Sequence, residues 1–330
     1  MVLDKSKIHK ILVISLTNIG DVILTFPVID IVRANFPAAK LSVVAGPKVE
    51  SFLKPNPHLE HVYVYNKRQK LIKMAKWLLE LRKQKFDLVV DLRNTAIPLI
   101  TGAKYRTPII SRKSNNIHMR NKHLERLRSV LSFKEPVKEK LALFISGEDK
   151  KMVNAIIKNE IGDRERFVVI GPGAANHSKR WSEEGFADVC DELITRYKVK
   201  IVFIGSREDK IVAQRILHLM KNESLDLCGR LSLSQLAELF NHCLLTIVND
   251  SAPLHLASYL DVPVLAVFGP TDPLKYGPWG SQGCFIKNRE YCGACDEPKK
   301  YRDHSCMDSI SSKDLLKLID ITTDGVVFQK

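Results

Sequence analysis

The sequence contains no apolar run of the roughly 20 residues that a membrane-spanning helix requires. Residues 1–10 include three lysines and no apolar core, so a secretory signal is not predicted. Seven cysteines in 330 residues are too few for a secreted disulfide scaffold. These absences favour a globular cytosolic protein, which the 45% hydrophobic and 27% charged composition also indicates.

Acidic residues are scarce in the first half of the chain. Residues 1–160 contain 30 Lys and Arg but only 14 Asp and Glu, whereas the remaining residues contain 21 and 23. The excess positive charge favours a polyanionic partner, such as nucleic acid, anionic lipid or a phosphorylated acceptor. A surface that serves solubility, without a specific partner, is the alternative.

Short, β-branched apolar runs alternate with helical patterns along the chain. Six runs lie before residue 146 and six lie after residue 166, with a polar segment between them. Such alternation predicts parallel, doubly wound sheets whose two faces are covered by helices. The expected fold is α/β with two tandem domains, residues 1–160 and 161–330, and a last helix that could pack back on the first domain. Ligands of such sheets bind beyond the carboxyl ends of the strands.

The segment 246–260 has the most informative pattern. An apolar strand pattern is followed by the helix-capping residues Asp250 and Ser251, and a helical pattern follows Ala252. A helix N-terminus has free N–H groups and partial positive charge, so it can bind an anion. His255 lies in the first helical turn, where a core histidine is not expected. An ordinary capped turn is the alternative.

The turn after the first strand lacks the GxGxxG and GxxxxGK[ST] patterns of nucleotide-binding loops. It places Asp21 just beyond the carboxyl end of the strand, after Thr17, Asn18 and Gly20. A carboxylate at this position can act as a general base when a substrate hydroxyl lies within hydrogen-bonding reach. The alternative is an aspartate that stabilises the helix start by about 0.5 kcal/mol through the helix dipole.

Two further strand ends carry candidate ligands for a nucleotide. A glycine-rich turn at 171–173 leads to Lys179, and backbone N–H groups with this lysine would suit a diphosphate. A basic surface loop is the alternative. Glu208 and Asp209 follow the next strand, where an acid often binds ribose hydroxyls. The strand-end turn at 228–234 could offer backbone groups to a base.

The late cysteines form a CxxC pattern with little else to complete it. Cys292 and Cys295 are followed by Cys306, and His304 could act as a fourth ligand. Zinc sites use such ligands, but no second CxxC or HxxxH pattern is present. Free thiols or a local structural role are therefore favoured over a metal site.

Residues 67–86 predict a strongly basic amphipathic helix. Leu71, Ala75, Leu78 and Leu81 share one stripe, and lysines cover the rest of the surface. This pattern suits an anionic membrane surface. A helix that packs on its sheet with solvated lysines is an equally good interpretation.

Together these motifs resemble glycosyltransferase family nine, the ADP-heptose:lipopolysaccharide heptosyltransferases. The resemblance rests on Gly20-Asp21 and on the segments 87–92, 171–181 and 249–255, which occur in this order. It implies a GT-B fold, in which two Rossmann-like, doubly wound parallel-sheet domains face a cleft. The first domain would bind the acceptor and the second the sugar nucleotide. The implied reaction is inverting transfer of heptose from ADP-L-glycero-D-manno-heptose to the lipopolysaccharide inner core.

The resemblance also implies roles for individual residues. Asp21 falls where the family has its catalytic base. The positions of the donor-phosphate ligands are Lys179, Asp250, Ser251, Ala252 and His255. The donor nucleoside positions are Glu208, Asp209 and Leu231. The side facing the acceptor is expected to include Thr17, Asn18, Arg93, Arg112 and Arg120. The family commonly has glycine where Ala252 stands, and alanine limits positive φ there.

No DxD motif follows a predicted strand, so no metal or other cofactor is expected. Lys179 and the helix N-terminus would stabilise the leaving diphosphate, at about 3 kcal/mol per oriented donor. The expected partners are an ADP-sugar donor, a phosphorylated lipopolysaccharide or lipid A core acceptor, and the anionic inner-membrane surface. The protein would be peripheral on the cytoplasmic face, and nucleic acid is not expected. Two alternatives are another nucleotide sugar for a different surface glycan, and a non-enzymatic binder of anionic lipid or nucleic acid.

Overall fold

The computed structural model describes residues 3–66, 70–109, 117–135, 137, 139–280, 282–287 and 306–323. The chain divides into two compact units, an N-terminal unit from Met1 to Phe144 and a C-terminal unit from Ile145 to Lys330. Each unit contains one parallel sheet. The predicted α/β, doubly wound fold class is therefore confirmed.

The sheet of the N-terminal unit has five parallel strands within the described residues, in the order β3-β2-β1-β4-β5. The strands are β1 (Lys10–Ile14), β2 (Lys40–Ala45), β3 (His61–Val64), β4 (Leu88–Asp91) and β5 (Tyr105–Arg106). The helices are α1 (Ile19–Ile23), α2 (Phe26–Asn35), α3 (Glu50–Leu53), α4 (Leu71–Lys83), α5 (Ile97–Thr101) and α6 (Met119–Arg128). The central strand β1 is buried from Ile11 to Ile14, because helices cover both faces of a parallel sheet.

The sixth apolar run predicted in the first half, at 141–145, is not a strand. The Asn56 Nδ2 atom donates to the carbonyl oxygens of Leu141 and Ala142 at 2.8 and 3.1 Å. The Ala142 N–H donates to Asp30 Oδ1 at 2.7 Å. Buried side chains thus pair with the backbone groups that a neighbouring strand would otherwise satisfy. The run predicted at 108–111 lies partly outside the described residues, and β5 is formed a few residues before it.

The sheet of the C-terminal unit has six parallel strands in the order β11-β10-β9-β6-β7-β8, and all six correspond to predicted runs. The strands are β6 (Phe167–Gly171), β7 (Lys200–Phe203), β8 (Leu225–Asp226), β9 (Leu245–Asn249), β10 (Val264–Phe268) and β11 (Gly283–Lys287). The helices are α7 (Gly147–Ile156), α8 (Glu183–Tyr197), α9 (Lys210–Leu219), α10 (Leu233–Phe240), α11 (Ala252–Leu260), α12 (Pro273–Tyr276) and α13 (Ser312–Thr323).

The division between the units differs from the boundary predicted after residue 160. Helix α7 belongs to the C-terminal unit, since it packs against α10. The last helix, α13, for which packing on the first domain was one possibility, contacts α8 and β11 of its own unit. Among the described residues, no helix combines the length and the apolar character needed to cross a bilayer.

Candidate active site

The turn between β1 and α1 places Asp21 at the carboxyl edge of the N-terminal sheet. Asn18 is the N-cap residue of α1, yet its side chain makes no capping hydrogen bond to the helix. Its Nδ2 atom instead donates to Asp21 Oδ2 at 2.9 Å. This is the one hydrogen bond of the Asp21 side chain within the described residues. The bond orients a half-exposed carboxylate whose second oxygen can accept a proton.

Gly46 follows β2, the strand next to β1, and contacts this turn. Its N–H donates to the Leu16 carbonyl oxygen at 3.2 Å. A methyl group at Gly46 would lie 2.5 Å from the Thr17 carbonyl oxygen and 2.7 Å from the Thr17 Cα atom. Any side chain at Gly46 would therefore displace the backbone that leads to Asp21. The sequence analysis did not identify Gly46, because only the strand pairing brings it to Thr17.

We expect Gly46→Ala to lower kcat about 100-fold, because misplacing a catalytic group by about 1 Å can cost this much. The nucleotide affinity should stay unchanged, since Gly46 lies in the other unit from the candidate donor residues. Gly147→Ala is the matched control, because Gly147, like Gly46, has no positive φ and no atom lies within 4 Å of the added methyl group. Steady-state kinetics and nucleotide titration would test this, and normal turnover in Gly46→Ala would show that the turn tolerates the shift.

Arg93 lies at the same edge, just after β4, which pairs with β1. Its guanidinium carbon is 4.5 Å from the centre of the Tyr65 ring. The buried Asp91 carboxylate shapes this turn by accepting hydrogen bonds from the N–H groups of Arg93 and Thr95, at 2.8 and 2.5 Å. The Arg126 Nε atom donates to the Asp91 carbonyl oxygen at 2.6 Å. Thr17, Asn18 and Arg93, three of the candidate acceptor residues, therefore lie at one edge of this sheet.

Arg120, another predicted acceptor arginine, is not joined to this group. The Arg120 Nη2 atom lies 2.9 Å from Glu135 Oε2, and Arg128 contacts the other oxygen of the same carboxylate. Glu135 thus offsets part of the positive charge that Arg120 could offer to an acceptor. Arg112 lies outside the described residues.

An ion pair links two neighbouring strand ends in the C-terminal unit. Lys179 Nζ lies 2.6 Å from Asp250 Oδ2, and β6 and β9, which precede these residues, are adjacent. The Asp250 side chain is 5% exposed and the Lys179 side chain 31% exposed. The covered carboxylate therefore holds the lysine, while the ammonium group remains accessible. A carboxylate repels phosphate, so Asp250 suits a positioning role better than direct contact with a phosphate.

Asn249 fixes the loop that carries Lys179. Its Nδ2 atom donates to the Pro172 carbonyl oxygen at 2.7 Å, and its Oδ1 atom accepts from the Trp181 N–H at 3.2 Å. The buried amide thus fastens both ends of the loop to β9. Sequence reasoning missed this role, because an Asn-Asp-Ser sequence before a helix reads as capping chemistry.

The start of α11 has no side-chain cap. Ser251 is the N-cap residue and makes no capping bond, because its hydroxyl donates to the Asn249 carbonyl oxygen at 3.2 Å. Ala252 is the first residue of α11 and follows closely after Asp250, which pairs with Lys179. His255, predicted to contact phosphate, is buried, and its ring stacks on Trp279 with 5.8 Å between centres. Among the described residues, no side-chain cap therefore accepts from the N–H groups at the start of α11.

The structure distinguishes the two candidate ribose acids after β7. Asp209 Oδ2 accepts hydrogen bonds from the Ser206 N–H at 2.9 Å and the Ser206 hydroxyl at 2.8 Å. Asp209 Oδ1 lies 3.6 Å from Arg180, and a methyl group at Gly173 would lie 2.2 Å from Asp209 Cγ. Asp209 therefore joins the β6 and β7 loops, whereas Glu208 is exposed.

Leu231 follows β8, the next strand along. Gly229 turns the chain with φ +74°, and its N–H donates to the Gly205 carbonyl oxygen at 2.9 Å. A methyl group at Gly229 would lie 2.7 Å from Arg207 Cγ, so glycine permits the two loops to touch. Leu231 is half-buried directly before the capped start of α10.

The candidate donor residues follow the order of the strands. The sheet runs β9-β6-β7-β8, and these strands are followed by the N-terminus of α11, Lys179, the acids 208–209 and Leu231, in that order. Parallel strands end at one edge, so these groups form a row. A nucleoside diphosphate has its phosphates, ribose and base in the same order.

The late cysteines give no metal cluster that the structure can describe. Cys306 is buried in the core beside Met307 and Ile310. Cys292, Cys295 and His304 lie outside the described residues. Within the described part of the chain, no group of three or more His, Cys, Asp or Glu side chains could hold a metal ion.

Solved structures share this fold. A glycosyltransferase family 9 protein from Veillonella parvula matches with TM-score 0.84 and 22% identity, over 100% of this chain and 99% of that one. Escherichia coli heptosyltransferase WaaC with ADP matches with TM-score 0.69 and 16% identity, over 95% and 100%. The iron-containing dodecameric glycosyltransferase TibC from enterotoxigenic E. coli matches with TM-score 0.62 and 13% identity, over 99% and 78%. The predicted GT-B fold class is confirmed.

The sequence itself has named relatives. It is 25% identical over 326 residues to lipopolysaccharide heptosyltransferase 3 of E. coli. The alignment covers 91% of this chain and 95% of that protein. The sequence model of glycosyltransferase family 9 (heptosyltransferase) matches residues 74–304. The chain therefore belongs to glycosyltransferase family 9 and is a transferase enzyme, as its motifs and its two parallel sheets indicated.

Proposed function

We propose that this enzyme transfers a heptose from ADP-L-glycero-D-manno-heptose to a hydroxyl of the lipopolysaccharide inner core, with inversion at the anomeric carbon. The observation that carries the proposal is the row formed by the α11 N-terminus, Lys179, the acids 208–209 and Leu231 at adjacent strand ends of the C-terminal sheet. The ADP in the WaaC structure supports an adenine nucleotide donor. The E. coli relative named a lipopolysaccharide heptosyltransferase supports the acceptor.

The C-terminal unit would bind the donor. Lys179 and the N–H groups at Ser251 and Ala252 would contact the diphosphate, and Asp250 would hold Lys179 in place. Glu208 would bind the ribose, because Asp209 already serves the loops. The backbone at Leu231 would contact adenine, and His255, packed on Trp279, would form the wall beside the phosphates.

The reaction would be a single displacement. Asp21 would accept the proton of the acceptor hydroxyl as its oxygen attacks the anomeric carbon, which inverts the configuration. The bond between that carbon and the β-phosphate oxygen would break, and ADP would leave with the negative charge. Lys179 and the α11 N-terminus would stabilise this charge without a metal, at about 3 kcal/mol per oriented donor.

The N-terminal unit would bind the acceptor. Its residues carry the positive charge excess of the chain, and a lipopolysaccharide core acceptor is phosphorylated. Arg93 is the strongest candidate for a phosphate, because Glu135 already pairs with Arg120. Arg112 remains a candidate. Because this acceptor is part of a lipid, the enzyme would work as a peripheral protein on the cytoplasmic face of the inner membrane.

The donor specificity is tested by titrating the protein with ADP, UDP and GDP in a calorimeter. We expect ADP to bind at least about tenfold more tightly, which corresponds to 1.4 kcal/mol. Preference for UDP or GDP would indicate a different nucleotide sugar.

Transfer of heptose from ADP-heptose to a core acceptor, measured by mass spectrometry, should persist in EDTA. Loss of transfer in EDTA, with recovery on adding Mg²⁺ or iron, would overturn the metal-free mechanism.

A further inference from the structure

Helix α4 carries apolar residues on two sides. On one side Leu81 is fully buried, and Trp77 and Leu78 pack half-buried against the core of the N-terminal unit. These residues attach the helix to its sheet. The single stripe that the sequence predicted is therefore divided, because Leu71 and Ala75 lie on the exposed side.

The exposed side is a row of large apolar residues. Leu71, Ile72 and Leu79 are 87%, 73% and 57% exposed. At about 100° per residue, Ile72, Ala75 and Leu79 lie within roughly 60° of one another around the helix axis. Single exposed apolar residues are ordinary, whereas a contiguous row indicates a binding surface.

Basic residues border this row. Lys76 and Lys83 follow Ile72 around the helix, and Lys73 lies beyond them, all exposed. None of these three lysines forms an ion pair with the described residues, and Glu80 is the one acid in the helix. An apolar centre with a positive border is typical of a helix that lies in a membrane interface. The charge complements anionic lipid rather than a neutral protein surface.

We propose that α4 docks the N-terminal unit on an anionic phospholipid bilayer. Leu71, Ile72 and Leu79 enter the boundary between headgroups and acyl chains, while Lys76 and Lys83 contact lipid phosphates. The inference deepens the proposed function, because it names the element that meets the membrane holding the acceptor. Its test needs neither donor nor acceptor, so it can fail independently of the proposed function.

The experiment measures co-sedimentation of the full chain with phosphatidylcholine vesicles that contain or lack phosphatidylglycerol. The variant Ile72→Ser/Leu79→Ser should bind the anionic vesicles at least about tenfold more weakly, because apolar burial drives insertion. The matched control is Ile211→Ser/Leu219→Ser on α9, which removes the same residue types from another exposed surface, 61% and 46% exposed. This control should bind like the unaltered protein. Circular dichroism confirms that both variants are folded.

A second variant separates charge from apolar burial. Lys76→Gln/Lys83→Gln should weaken binding to anionic vesicles about fivefold per lysine, and high salt should have a similar effect. Binding to pure phosphatidylcholine should be weak for every variant. Any of three results would overturn the proposal. They are equal binding by the α4 and α9 variants, equal binding of the unaltered protein to both vesicle types, and no binding by the unaltered protein. Transfer to a soluble, delipidated acceptor should be unchanged in Ile72→Ser/Leu79→Ser, so loss of transfer there would also count against it.

Discussion

Asp21→Asn should lower the rate of heptosyl transfer about 1,000-fold and leave ADP affinity unchanged, because general base catalysis contributes roughly 10²–10⁴-fold. The substitution keeps the shape of the side chain, and the new amide oxygen can still accept the hydrogen bond from Asn18. The lost property is therefore the ability to accept a proton. Single-turnover kinetics with saturating donor, together with ADP titration, would measure the two effects separately.

Asn18 provides the control for this prediction. Asn18→Ala removes the hydrogen bond of 2.9 Å to Asp21 but leaves the carboxylate. We expect a loss of about tenfold, since orientation is relaxed while the base remains. If Asp21→Asn retained a rate within tenfold of the unaltered enzyme, Asp21 would be a helix-start residue and another group would have to act as the base.

Lys179→Ala should lower kcat about 100- to 1,000-fold, because removing one donor to a developing negative charge has this effect. It should also leave the Asp250 carboxylate, which is 5% exposed, without its cation. The accompanying loss in the free energy of unfolding should be about 1 kcal/mol, since Lys179 is partly solvent-exposed and the pair is screened.

The double variant Lys179→Ala/Asp250→Asn distinguishes catalysis from stability. It removes the unpaired carboxylate, so we expect thermal unfolding to return towards that of the unaltered protein. The transfer rate should stay low, because the cation is still absent. Asp250→Asn alone should lower the rate by about tenfold, as Lys179 keeps its charge but loses its orientation. Recovered transfer in the double variant would show that Lys179 only neutralises Asp250.

Local pattern predicted most of the elements around this site. The β-branched runs identified all six strands of the C-terminal unit, because a strand buried on both faces is apolar along its length. Asp21, Lys179 and Ser251 could be singled out because each directly follows or lies near a predicted strand end. Their roles in catalysis and binding remain predictions for the experiments above.

Other features depended on contacts between distant segments. Glu208 and Asp209 were both candidate ribose ligands, and only the structure shows that Arg180 and Gly173 lie beside the Asp209 carboxylate. The run at 141–145 looked like a strand, but Asn56 and Asp30 pair with its backbone. Neither outcome follows from a local pattern, because the partners lie far along the chain.

The sequence by itself determined the α/β fold class, the family and the strand ends at which chemistry is expected. These conclusions follow from hydrophobic periodicity and from residue types at short spacing. Such local patterns do not depend on contacts between distant segments of the chain. Only the tertiary structure decided which acid is committed to the loops, which amide fastens the Lys179 loop and which side of α4 faces solvent. Those outcomes depend on which strands and helices become adjacent, and adjacency arises only when the whole sheet buries its apolar surface.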